Sequence, residues 1–142
     1  MQAMSLPEQL DQIVRLMQGA PKQIKVEALL DYGRRIPPLP DHLDAGDLEQ
    51  VHECQSPFFL ATELDGDGKV RLFFDSPPEA PTVRGFAGIL VAGLDGEEPG
   101  TILAVDDEFF YDMGLEEVVT PQRLRGMAAI LARIKRQVRE LS

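Results

Sequence analysis

The sequence predicts an α+β fold, a small antiparallel sheet packed against helices, in a single domain spanning residues 1–142. Three observations carry this expectation. Apolar residues recur at helical spacing at both ends of the chain, and two short runs rich in aromatic and branched residues flank Asp65-Gly66-Asp67-Gly68 near the middle. The resulting order of helices, then strands, then helices argues for helices laid on one antiparallel sheet, and 142 residues fall in the usual range of one domain.

Taken in order, Ser5-Leu6-Pro7-Glu8 reads as a capping box, which predicts a helix from about residue 6. Leu6, Leu10, Ile13, Val14 and Met17 make its apolar face until Gly19-Ala20-Pro21 stops it. A second helix is expected from about Pro21 to Arg34, with Ile24, Ala28, Leu29 and Tyr32 facing inward. Ile36-Pro37-Pro38-Leu39-Pro40 then removes three backbone donors in five residues, so residues 36–50 read as a loop that starts extended. Phe58 to Leu64 and Val70 to Asp75 are expected strands of a hairpin turned by Asp65-Gly66-Asp67-Gly68.

Gln50 to Gln55 can add a third strand, which puts Cys54 at a strand end or in the loop before the hairpin, where chemistry is common. Thr82 to Leu94 follows as a mostly apolar helix, Pro99 to Ala104 and Asp107 to Met113 as shorter helical turns. Thr120-Pro121 caps a long final helix whose buried face is expected to hold Leu124, Met127, Ile130, Leu131, Ile134, Val138 and Leu141.

Apolar residues form 44% of the chain against 27% charged, an ordinary globular balance. The longest apolar run, Phe86 to Leu94, is too short to span a bilayer, and the N-terminus lacks a signal-peptide pattern, so the expected location is cytoplasmic, with no membrane partner. The net charge of −10 repels phosphate backbones and anionic lipids, which argues against a nucleic-acid partner. Arg123, Arg125, Arg133, Lys135, Arg136 and Arg139 nevertheless crowd the last helix. They read either as a solvated face with cations near a helix C-terminus or as a dock for something acidic.

Asp65-Gly66-Asp67-Gly68-Lys69-Val70 begins like a calcium loop, but Lys69 stands where a third oxygen ligand is needed and Val70 replaces the turn glycine. Gly85, Gly88 and Gly93 lack a phosphate-cradling spacing and read as sites of close helix packing. His42 and His52 with one thiol make a weak metal signal, and no metal site is expected. The single cysteine excludes an internal disulfide.

Cys54 sits in a polar setting, His52-Glu53-Cys54-Gln55-Ser56, rather than in an apolar run. A buried, inert thiol and a reactive one both fit these residues. Thiolate character needs a nearby cation, a helix N-terminus or donated hydrogen bonds. Glu53 opposes it; His52 shares the face of Cys54 if the strand is regular, and could stabilise a thiolate or act as a base.

Val51-His52-Glu53-Cys54-Gln55-Ser56 resembles the active-site signature of the SufE family, a hydrophobic residue, two further positions, then Cys-x-Ser. The motif is joined in order by Tyr32-Gly33-Arg34-Arg35-Ile36-Pro37-Pro38-Leu39, by Asp75-Ser76 with Val83-Arg84-Gly85, and by Thr120-Pro121-Gln122-Arg123-Leu124-Arg125-Gly126-Met127, so the resemblance covers nearly the whole chain. It implies a SufE/IscU-like α+β fold with the cysteine on a loop at one edge of the sheet. It also implies that Cys54 takes persulfide sulfur from a cysteine desulfurase, stimulates that enzyme and delivers the sulfur to an iron–sulfur cluster scaffold. Pyridoxal phosphate then belongs to the desulfurase, and this chain needs no cofactor of its own. By the same resemblance Arg123 matches the family arginine that can support the thiolate, with His52, Gln55 and Ser56 as supporting neighbours. Two departures stand out: Glu53 occupies a position where the family usually has glycine, and Pro57-Phe58-Phe59 replaces Gln-Val-Trp.

A lone thiol suits a carrier, because a second cysteine nearby could resolve the persulfide into a disulfide and release its sulfur, and too few thiols remain for a cluster scaffold. The alternative class is a free-standing thiol enzyme with His52 or His42 activating Cys54. A purely structural binding module is the third.

Overall fold

The structure, a computed structural model, describes residues 6–54, 57–77 and 81–142. Among them are five α-helices, α1 (Glu8–Gln18), α2 (Lys22–Arg34), α3 (Pro81–Leu94), α4 (Pro99–Leu103) and α5 (Pro121–Leu141). Three strands, β1 (Glu49–Gln50), β2 (Phe59–Leu64) and β3 (Val70–Asp75), form one antiparallel sheet in the order β1-β2-β3, so the α+β expectation holds. No described helix is long and apolar enough to cross a membrane.

The hairpin register, Phe59 opposite Asp75 through Leu64 opposite Val70, sets Leu60 and Thr62 on the same buried face as Val70, Leu72 and Phe74. Its turn is closed by Asp65, whose side chain accepts from the Asp67 and Lys69 amides at 2.9 and 3.0 Å, while Gly68 takes φ +77°. On the buried face lies α5, with Leu124, Met127, Ile130, Leu131, Ile134 and Val138 turned inward. Leu141, expected to be buried with them, is exposed because the helix outruns the core.

α3 is apolar nearly all round and accordingly central, touching α1, α2, β3 and α5. Its glycines admit α1 and α2. A Cβ on Gly85 or Gly88 would lie under 3.0 Å from the backbone carbonyls of Leu29 and Tyr32, and one on Gly93 would lie 2.8 Å from the Leu10 side chain. The close-packing expectation for these glycines is met. Arg84, between the helices and the sheet, donates to the Ser76 carbonyl at 2.6 Å and so pins the end of β3.

Three further expectations change. α1 begins at Glu8 with extended Pro7 as its cap residue; Ser5 of the expected capping box lies outside the described residues. In α2, Ile24 is 48% exposed, and the residue turned inward beside it is Lys25, whose Nζ reaches Glu117 at 2.8 Å. A buried ammonium is tolerable because this carboxylate pairs with it. The third strand is only two residues long: Val51 donates to the Phe58 carbonyl at 2.8 Å, and the chain then turns at His52 and Glu53 instead of running on to Gln55.

Candidate functional site

The hydrogen bond from Val51 to Phe58 closes the base of a loop, and both of these side chains are fully buried. The loop is thus rooted in the core at both ends. Cys54 follows the turn, its amide donating to the Val51 carbonyl at 3.2 Å, and its half-buried side chain packs at the edge of the core. Because the strand stops at Gln50, His52 and Cys54 share no strand face; His52 is exposed.

Beneath the thiol lies Gly126 of α5. A Cβ there would stand 3.1 Å from Cys54 Sγ and 3.6 Å from its Cα, so the glycine is the seat of the cysteine. α5 reaches this position through its start: Thr120 Oγ1 accepts from the Arg123 amide at 3.4 Å and Pro121 occupies the first turn. The sequence contained Gly126 within a recognised motif, but its 72-residue separation from Cys54 concealed the contact.

The charges around the thiol work against ionisation. Burial first, then the adjoining Glu53 carboxylate, push Cys54 from an ordinary 9.0 up to about 11, with only Arg133 pulling the other way. Arg133, on α5, reaches Glu49 through Nε at 3.1 Å and Glu53 through Nη1 at 2.8 Å. Glu53 is held below the usual carboxylate range by its own backbone amide first and by Arg133. Burial raises Glu49, but Gln137, Arg136 and Arg133 outweigh it and hold that carboxyl low as well.

The other expected site residues fall into separate places. Arg123 is exposed on the first turn of α5, and its side chain makes no hydrogen bond or ion pair among the described residues. His42, in the loop before β1, engages Glu63 of β2 at 2.9 Å. Gln55 and Ser56 lie outside the described residues. Of the basic residues on α5, Arg133, Lys135 and Arg136 are paired with Glu49, Glu53, Asp107 and Glu140, which makes the middle of the helix largely self-neutralised. Among the described residues no group of three His, Cys, Asp or Glu side chains gathers as a metal site. An open groove of ≈380 Å³ runs beside the loop, lined by Glu53, Tyr111, Leu124, Arg125 and Ala128 among others.

Comparison with known proteins adds to this geometry. A family model described as SufE, an Fe-S metabolism associated domain, matches residues 11–138. An uncharacterized SufE-like protein of Mycobacterium tuberculosis is 47% identical over 136 residues, covering 96% of this chain and 95% of the relative. The sulfur acceptor protein CsdE of Escherichia coli K12 is 27% identical over 107 residues, covering 75% of this chain and 71% of the relative. The solution structure of a hypothetical protein from Thermus thermophilus superposes with a TM-score of 0.86 at 46% identity, covering 96% of this chain and 97% of that one.

Proposed function

The chain belongs to the SufE family, and from that premise we propose that it is a sulfur-acceptor protein in iron–sulfur metabolism whose Cys54 takes persulfide sulfur from a cysteine desulfurase. The observation that carries this is the seat of Cys54, the chain's one thiol, at the edge of the core over a glycine that leaves room for it. A sulfane sulfur held there is shielded from water and reductants between handovers. The partner supplies the pyridoxal phosphate chemistry, and an iron–sulfur cluster scaffold receives the sulfur.

In the transfer step the Cys54 thiolate attacks the terminal sulfur of the donor persulfide. A new S–S bond forms on Cys54, the donor's S–S bond breaks, and the donor cysteine leaves as a thiolate that takes up the proton Cys54 has lost. A thiol that titrates at about 11 in its seat is almost wholly protonated at neutral pH. We therefore expect Cys54 to leave the Gly126 seat to react, and the groove that the adjoining Glu53 lines is the opening nearest to it for a donor. Once the thiol is out, we expect Arg123, exposed at the head of α5 and matching the family arginine by resemblance, to favour its thiolate. A free thiol with this task suits a reducing compartment such as the cytoplasm.

A thiol enzyme working alone needs a base at Sγ, and among the described residues neither His42, which pairs with Glu63, nor the exposed His52 makes a hydrogen bond to Cys54. Incubation with a cysteine desulfurase and cysteine is expected to add the mass of one sulfur atom to the wild type and nothing to Cys54→Ser, and to raise the desulfurase rate only with Cys54 present. An equal adduct on Cys54→Ser, or turnover of a small substrate by the protein alone, refutes the proposal.

A further inference from the structure

Arg133 occupies a position that sulfur transfer itself does not explain. It lies seven residues beyond Gly126, two helical turns along the same face of α5, so the seat of the thiol and this guanidinium are in line along the cysteine loop. Its two carboxylates come from either side of the loop base: Glu49 from β1, just before Val51, and Glu53 from the turn beside the thiol.

The two arms are unequal. Glu49 is also held by Arg136 and by Gln137, the latter at 2.9 Å, and it stays in place without Arg133. Glu53 has Arg133 as its one salt-bridge partner among the described residues, in a pair open to solvent on the carboxylate side. With Val51 and Phe58 fixed in the core, the Glu53 arm is the tether that ties the turn to α5.

We propose that Arg133 is a positioning residue that latches the turn from Val51 to Cys54 shut: its ion pair with Glu53 holds this turn on α5 and keeps Cys54 over Gly126, and breaking that one pair frees the thiol to meet a donor. The donor's identity rests on the sulfur-acceptor function; the latch itself does not. The charged groups facing Arg133 are Glu49 and Glu53, with Arg136 beyond Glu49 and His52 beside Glu53.

The Cys54 amide, bonded to the Val51 carbonyl, reports the closed turn independently of thiol ionisation. Its hydrogen exchange is measured by NMR on the full chain, without desulfurase, in wild type, Arg133→Gln, Glu53→Gln and the double variant. Each single substitution is expected to speed exchange of this amide roughly two- to fivefold, the range an exposed ion pair supports, and the double variant no more than either single. High salt is expected to speed the wild type and leave Arg133→Gln unchanged. Arg133→Lys is expected to recover part of the protection. Exposed Glu53→Gln keeps the test open if Arg133→Gln loosens the whole fold. Unchanged exchange in Glu53→Gln, effects of the two singles that add, or a wild type insensitive to salt each overturn the latch. Absence of a sulfur adduct on Cys54 in the desulfurase assay would instead count against the acceptor function, with the latch intact.

Discussion

Two glycine contacts in this molecule look alike in sequence and differ in kind. Where α2 crosses α3, Gly85 and Gly88 meet backbone: the carbonyls of Leu29 and Tyr32 occupy the space a side chain would need. Where α5 meets the cysteine loop, Gly126 meets the end of one side chain, Sγ, at a distance that asks a neighbour to give by only a few tenths of an ångström. Backbone inside two helices cannot move without moving both; a thiol in a turn can. The first contact cannot open without shifting two helices and the second can, which fits rigidity in the core and, under the proposed function, release at the site.

The largest effect that tests this contrast is on stability. Gly88→Ala is expected to lower the unfolding free energy by on the order of 3 kcal/mol, at the upper end of overpacking, since the roughly 1 kcal/mol that alanine gains within a helix does not offset a backbone collision. A urea titration reads it. Gly126→Ala is expected to stay within about 1 kcal/mol of wild type in the same titration, because the helix gain and the mild crowding oppose each other. Equal losses at the two positions would erase the distinction.

Chemistry at the thiol is the next effect in size. In the wild type, alkylation of Cys54 is expected to follow an ionisation near pH 11 instead of the ordinary 9.0, which leaves about a hundredfold less thiolate at neutral pH. The folded state holds the proton more tightly than the unfolded chain, so this contribution to stability is intact below pH 9 and is lost as the pH rises towards 11. Gly126→Ala presses Sγ outward, and its alkylation at neutral pH is expected to rise by about tenfold as burial, the leading cause of the shift, is relieved. An unchanged rate against pH would show that the seat does not hold the thiol.

Most of the fold was legible in the sequence because it depends on local pattern. The 3.6-residue recurrence in α1 and α5, the two-residue alternation in β2 and β3, and the Asp-Gly turn are decided within a few residues of one another. The faces of Ile24 and Lys25 in α2 were not legible, because the partner that allows Lys25 to be buried, Glu117, is 92 residues away. The site was legible only at its centre. Cys54 stands out by being alone, but Gly126 and Arg133 act on it from 72 and 79 positions along the chain, and no spacing rule announces such a pair.

A smaller effect separates the two arginines of α5. Arg123→Ala is expected to leave alkylation of the free protein unchanged, since the guanidinium acting on the seated thiol is that of Arg133. It is expected to slow sulfur acceptance from a desulfurase by a few-fold, about the scale of one exposed charge interaction. A slower alkylation of the free variant would move Arg123 into the resting site.

Glu53 gives the finest test, because two of its properties can be removed one at a time. Its carboxylate raises the thiol's pKa, second only to burial, and ties the turn to Arg133. Its Cβ also restricts backbone angles that glycine would allow. Glu53→Gln removes the charge and keeps the side chain; Glu53→Gly removes both and loosens the turn. Alkylation at neutral pH and sulfur acceptance are each expected to run fastest in the glycine variant, then in the glutamine variant, then in the wild type, with each step about two- to fivefold, as for one exposed ion pair. If glutamine matches glycine, charge alone restrains the thiol and the backbone already follows a path that glutamate tolerates. If glutamine matches the wild type while glycine is faster, the turn is held by its backbone, and a loop that is tethered in the structure would be one that stays shut without its tether.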